Sequence, residues 1–139
     1  MTFDAKIFIK YYKFCMINIS LNYPKYPNDV TKKKYYDFIN NIPLLFPNNP
    51  LGNNFIKYLD NYPVTPYLDS RKSFIKWVHF INNKINTDLN LKEETLEDSL
   101  KNYYNKFKKP KKEKNKIRKY VMITIFWTLL IILLFINFL

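Results

Sequence analysis

The sequence predicts an all-α fold: a four-helix bundle with a short fifth helix, followed by a C-terminal transmembrane helix. Three observations carry this. Apolar residues recur at three- and four-residue spacing in successive segments, and no segment alternates as a strand does. Prolines and capping residues separate those segments. The last twenty residues carry no charge, no Pro and no Gly.

The first helix is expected over residues 4–21, with Phe8, Tyr12, Cys15 and Ile19 on one face. Tyr23-Pro24 and Tyr26-Pro27 turn the chain. Asn28 or Asp29 can cap a second helix to Ile42, with Tyr35, Phe38 and Ile42 inward. Pro43 and Pro47 end it. Asn49-Pro50 has the form of an N-cap and first-turn proline, opening a third helix to Asn61. Pro63 and Pro66 interrupt again. Asp69 or Ser70 then caps the strongest soluble helix, whose stripe is Phe74, Trp77, Val78, Ile81, Ile85 and Leu89. Thr95 and Asp98 form a capping box for the fifth helix, to Phe107.

Tyr120–Leu139 (YVMITIFWTLLIILLFINFL) is long enough to cross about 30 Å of hydrocarbon as a helix. Its fourteen Val, Ile, Leu and Phe residues favour insertion by at most about 6 kcal/mol. A core helix of a small domain would show a polar face, and this segment offers only Thr124, Thr128 and Asn137. The expected organisation is a helical domain over 1–107, a basic linker over 108–119 and a membrane anchor over 120–139. Because the span closes the sequence, a tail anchor with its domain in the cytosol is expected.

Charge supports this division. The 139 residues hold 23 basic and 11 acidic groups, a formal net charge of +12. Residues 1–100 hold 13 basic and 10 acidic groups, whereas 101–119 hold 10 basic groups and only Glu113. Lys106, Lys108, Lys109, Lys111, Lys112, Lys114, Lys116, Arg118 and Lys119 thus abut the span, as the positive-inside rule expects for a cytosolic flank. Such a cluster attracts anionic headgroups at about 1 kcal/mol per basic residue. The rival reading is a nucleic-acid patch. Phe107 alone interleaves an aromatic and Pro110 breaks the run, so lipid is the expected partner and nucleic acid is not.

Composition also excludes chemistry. A single Gly allows no Gly-rich phosphate loop. One Cys, Cys15, allows neither an internal disulfide nor a cysteine-built zinc site, and His79 is the sole histidine. Cys15, among apolar residues, reads as a small buried hydrophobe. His79 reads as a partly exposed helical residue without a role. Asp88, Glu93, Glu94, Glu97 and Asp98 read as a solvated cap rather than a cation site. Asn, Lys, Ile, Tyr and Phe are abundant and Gly, Ala and Arg are scarce, as A/T-rich codons dictate, so Asn and Lys content alone says little about function.

Several spaced elements point further. They are Asn22-Tyr23-Pro24-Lys25-Tyr26-Pro27, then Ile42-Pro43-Leu44-Leu45-Phe46-Pro47, then Asn53-Asn54-Phe55-Ile56-Lys57-Tyr58-Leu59 with Tyr62-Pro63-Val64. Phe74-Ile75-Lys76-Trp77 and Asn82-Asn83-Lys84-Ile85-Asn86 follow. Over residues 10–105 this order resembles the Erv/ALR family of FAD-linked sulfhydryl oxidases, within it the short forms of large cytoplasmic DNA viruses. The resemblance implies a helical bundle, FAD as cofactor, thiol oxidation and pairing through the first helices. It also implies that Trp77, Asn83, Asn86 and Tyr103 are cofactor-binding.

The departures bear on activity. The family's redox disulfide would fall at Asn48 and Leu51, and its following Arg-x-His at Gly52-Asn53-Asn54. The flavin-contacting Trp and His of the first helix would be Lys13 and Ile17, and the His of His-Asn would be Asn82. Asn and Leu cannot exchange electrons with a thiol. The expectation is therefore a non-catalytic scaffold, as a homodimer or paired with an active oxidase, with FAD absent or substoichiometric. The alternatives are an FAD enzyme whose partner supplies the dithiol, and a basic membrane-surface module.

Overall fold

The computed structural model describes residues 4–46, 50–108 and 114–137, with side chains in the last segment from 118 onward. Among them the fold is all-α, as expected from the sequence. The helices are α1 (Ala5–Asn22), α2 (Asp29–Asn41), α3 (Pro50–Asn61), α4 (Arg71–Asp88), α5 (Leu96–Asn105) and α6 (Lys114–Asn137). Short 3-10 turns at Ile42–Leu45 and Thr65–Tyr67 begin at or just before Pro43 and Pro66. The chain divides into two units, Met1–Tyr104 and Asn105–Leu139.

The starts follow cap chemistry. Asp4 accepts from the Lys6 and Ile7 amides, at 2.8 and 3.4 Å. Asn28, rather than Asp29, caps α2 by accepting from Thr31 N at 2.8 Å. Ser70 caps α4 through Ser73 N at 3.2 Å, which frees Asp69 to accept from Lys32 Nζ at 2.7 Å. Thr95 Oγ1 accepts from Asp98 N at 3.1 Å and donates back to its carboxylate at 2.9 Å. Each cap satisfies an amide that the first turn leaves open.

The end of α4 matters for the site. Asn90 takes the left-handed conformation at φ 53°. Leu91 N reaches back to Asn86 O at 2.8 Å, and Asn90 N to Thr87 O at 3.0 Å. This is a Schellman closure, with Asn where Gly is commonest. It folds Leu91–Thr95 back beside the last turns of α4.

The core lies chiefly between α1 and α4, which make the largest helix contact. Phe74, Trp77, Val78, Ile81 and Ile85 are buried, as the stripe requires. Tyr23 is fully buried, donates to Leu68 O at 2.7 Å and meets Tyr35 and Phe74 edge-on or tilted. Phe46 stacks on Phe55 at 4.5 Å, with the Tyr12 ring edge-on to both.

Two expectations on facing are corrected. Ile39, not Phe38, is the buried residue of α2, and Phe38 is 40% exposed. Cys15 is exposed rather than buried. On α1 the buried positions are Ile9, Met16 and Ser20, so the inward line runs one position away from Cys15. Cys15 instead borders an apolar groove of about 300 Å³ with Phe8, Tyr11, Phe38, Ile42 and Leu45 among its walls.

In the second unit, Arg118–Asn137 of α6 has a mean hydropathy of 2.3 and is long and apolar enough to cross a membrane. Its apolar side chains are exposed throughout, which in water would be costly and in hydrocarbon is not.

Candidate functional site

Ile9, Met16, Ser20 and Tyr23 follow a four- and three-residue rhythm, and Lys13 falls in register with them. A lysine in that register must aim at α4. Its ammonium donates to Asn86 Oδ1 at 2.8 Å and lies 4.0 Å from Glu94 Oε1, with the side chain only 17% exposed.

Around that contact the amides of α4 are held by the chain itself. Asn83 Nδ2 donates to Glu94 O at 2.9 Å, and Asn83 Oδ1 accepts from Glu94 N at 3.1 Å. Asn86 Nδ2 donates to Asn83 Oδ1 and to Lys92 O, both at 3.3 Å. Ser99 Oγ donates to Glu94 Oε2 at 3.0 Å. The two Asn side chains thus pin the returning segment to α4, and Lys13 ties α1 to the same cluster.

Two other polar groups are buried here without a hydrogen-bond partner among the described residues: the whole Asn82 carboxamide and His79 Nδ1. Asn82 is 2% exposed. His79 Nε2 lies 3.3 Å from Asn83 Nδ2, a bond that the neutral ring accepts. Burial pushes the His79 pKa below its ordinary 6.5; Lys13 pushes the same way, and Glu94 and Glu93 oppose it. The ring is partly exposed on α4, as expected from the sequence, and is neutral near pH 7.

The sign of its linkage follows. Below 6.5 the unfolded chain binds the proton before the folded one does, so this contribution is full above 6.5 and is lost as pH falls through the folded pKa. Urea midpoints at pH 7.5 and 5.5 should differ less in His79→Gln than in the parent. An unchanged difference would assign the slope to other groups.

Trp77 and Tyr103 lie apart from the amide cluster in their bonding. Trp77 is buried and donates from Nε1 to Tyr62 O at 2.9 Å. Tyr103 donates to Asn18 Oδ1 at 2.6 Å and its ring meets Phe14 at 5.1 Å. Leu51 is buried in the first turn of α3, and Asn48 lies outside the described residues. Tyr58 donates to Asp88 at 2.7 Å, and burial first, then that bond, lifts its pKa to about 12. No group of three or more potential metal ligands occurs among the described residues.

Of the basic run, Lys106, Lys108, Arg118 and Lys119 are exposed. Lys114 and Lys116 belong to the first turn of α6 by backbone, and Lys109, Lys111 and Lys112 lie outside the described residues. Sequence reasoning identified Asn83 and Asn86 but not the clasp they form with Lys13 and Glu94. The register of Lys13 with Ile9 and Met16 was the available signal.

Comparison with known proteins matches this arrangement to one family. The family model for Erv1/Alr proteins matches residues 16–113. A probable FAD-linked sulfhydryl oxidase of Acanthamoeba polyphaga mimivirus is 33% identical over 69 residues, or 49% of this chain and 48% of that protein. The chain therefore matches about half the length of that relative. The crystal structure of the yeast Erv1 core superposes with a TM-score of 0.65 at 21% identity, covering 74% of this chain and 86% of that one. The FAD-binding domain of Erv1 from Saccharomyces cerevisiae gives 0.66 at 21% identity, covering 75% and 97%.

The equipment present does not fit the cofactor that this likeness implies. Asn83 and Asn86 are the α4 residues that the resemblance assigns to the cofactor, and both polar atoms of each are engaged within the chain. Among the buried side-chain atoms of the described residues, both polar atoms of Asn82 and His79 Nδ1 are the ones without a hydrogen-bond partner. From the family match and the fold together, the chain belongs to the Erv1/Alr family.

Proposed function

We propose that this chain is a non-catalytic, membrane-anchored member of the sulfhydryl oxidase family, acting as a scaffold or as the partner of an active oxidase. One observation carries the reading: the chain has a single sulfhydryl, Cys15, on an exposed face of α1. Thiol oxidation of the family's kind removes two electrons and two protons from a dithiol, forms an S–S bond and passes the electrons to oxygen through a flavin. A relay needs two sulfurs within bonding reach. Asn48 and Leu51, at the corresponding positions, supply none, and Leu51 is turned into the core.

The basic flank from Lys106 to Lys119 supports a single span with the domain on the cytosolic side. The groove along α1, walled by Phe8, Tyr11, Cys15, Phe38 and Leu45, supports pairing with a second copy or a relative. A shared membrane raises the effective concentration for either.

The test is oxygen consumption with dithiothreitol, using the full chain in detergent with FAD supplied. No rate above buffer is expected. Asn48→Cys with Leu51→Cys restores two sulfurs but leaves Lys13, Ile17 and Asn82 where the family has an aromatic and two imidazoles, so that pair alone should remain inactive. Sustained consumption by the unaltered chain would replace this reading with that of a working oxidase.

A further inference from the structure

We propose that Lys13 is an internal substitute for the cofactor: its ammonium, clasped by Asn86 and Glu94, joins α1 to the end of α4 and makes the fold independent of FAD. The proposal rests on the non-catalytic reading only for the loss of redox chemistry.

Three features support it. First, Lys13 stands in the buried register of α1, between Ile9 and Met16, where an unpaired ammonium is disfavoured. Second, its acceptor is matched. Asn86 uses Nδ2 on Lys92 O and Asn83, leaving Oδ1 for a cation, which Lys13 meets at 2.8 Å. Glu94 Oε1 at 4.0 Å adds a carboxylate, held in place by Ser99. Third, the bond links residues 73 apart in sequence, between helices that share the largest contact of the domain. A charge-assisted bond there restrains two elements and the Leu91–Thr95 return together.

The resemblance puts an aromatic at this position, where it would lie against a flavin ring. A lysine reverses the requirement. It needs acceptors, not a ring, and Asn86 Oδ1 provides one. The remaining titratable neighbour on α4, His79, is held neutral and adds no repulsion.

The first test uses the unaltered full chain in detergent. Trace acetylation read by mass spectrometry should label Lys13 about tenfold more slowly than exposed Lys10, one turn away, since a clasped ammonium rarely presents a free amine. Excess FAD should change neither that rate nor the melting temperature. The second test is Lys13→Met, which keeps the apolar stem. Its melting temperature should fall by about 5 °C, and hydrogen exchange at the Glu94 amide should accelerate more than in α2. Equal labelling of Lys13 and Lys10 would overturn the proposal. So would protection of Lys13, or a raised melting temperature, on adding FAD. An inactive chain that binds FAD would sink this inference and leave the non-catalytic reading standing.

Discussion

After extraction with alkaline carbonate, the full chain is expected to stay with the membrane, and a chain ending at Lys119 to be released. The reason is the separation of two forces. Residues 120–139 contribute an insertion free energy of at most about 6 kcal/mol, a partition factor on the order of 10⁴. The basic run also binds a membrane, through anionic headgroups, at about 1 kcal/mol for each cation near the surface. Carbonate extraction works near pH 11, above the usual lysine pKa of about 10.4, so most of that attraction disappears. What survives is hydrophobic. Arg118–Asn137 has a mean hydropathy of 2.3 and presents apolar side chains on every face, so no aqueous refuge competes with the bilayer. Release of the full chain under the same treatment would show that α6 does not span.

Most helix boundaries were legible because they are local. Asn28, Ser70 and Thr95 cap within three residues, and the prolines interrupt where they stand. Facing was less legible. On α2, both Tyr35–Phe38–Ile42 and Tyr35–Ile39–Ile42 satisfy a three-four rhythm, and thirteen residues are too few for the period to choose. Packing chose Ile39. On α1 the apolar residues surround more than one face, so the line through Cys15 was as regular as the buried one through Ile9 and Met16. The family match was legible in spaced Tyr-Pro, Phe-Pro and Asn-Asn elements, each weak alone. The Lys13 clasp was not, because its acceptors lie at 86 and 94 and no local pattern joins them to position 13. The register of Lys13 with Ile9 and Met16 was there to read, but only the fold sets that lysine beside an amide with a spare lone pair.

Replacing Trp77 by Ala should cost the domain about 3–5 kcal/mol, the largest single-residue loss expected in the core. Trp77 is 2% exposed, lies nearly parallel to Phe74 at 6.2 Å, and sits midway along the buried stripe of α4. Its removal opens a cavity that Phe74, Val78 and Ile81 cannot fill without shifting a helix. The bond from Nε1 to Tyr62 O is a smaller part. Tyr62 is 38% exposed, so water can reach that end of α3. Trp77→Phe, which keeps most of the volume and loses the N–H, should therefore cost only about 1–2 kcal/mol. Small domains hold about 5–15 kcal/mol in total. The alanine variant should accordingly unfold about 2 M earlier in urea, measured by circular dichroism on the chain ending at Lys119. Equal losses for Ala and Phe would mean that the hydrogen bond, not the packing of the indole, holds α3 against α4.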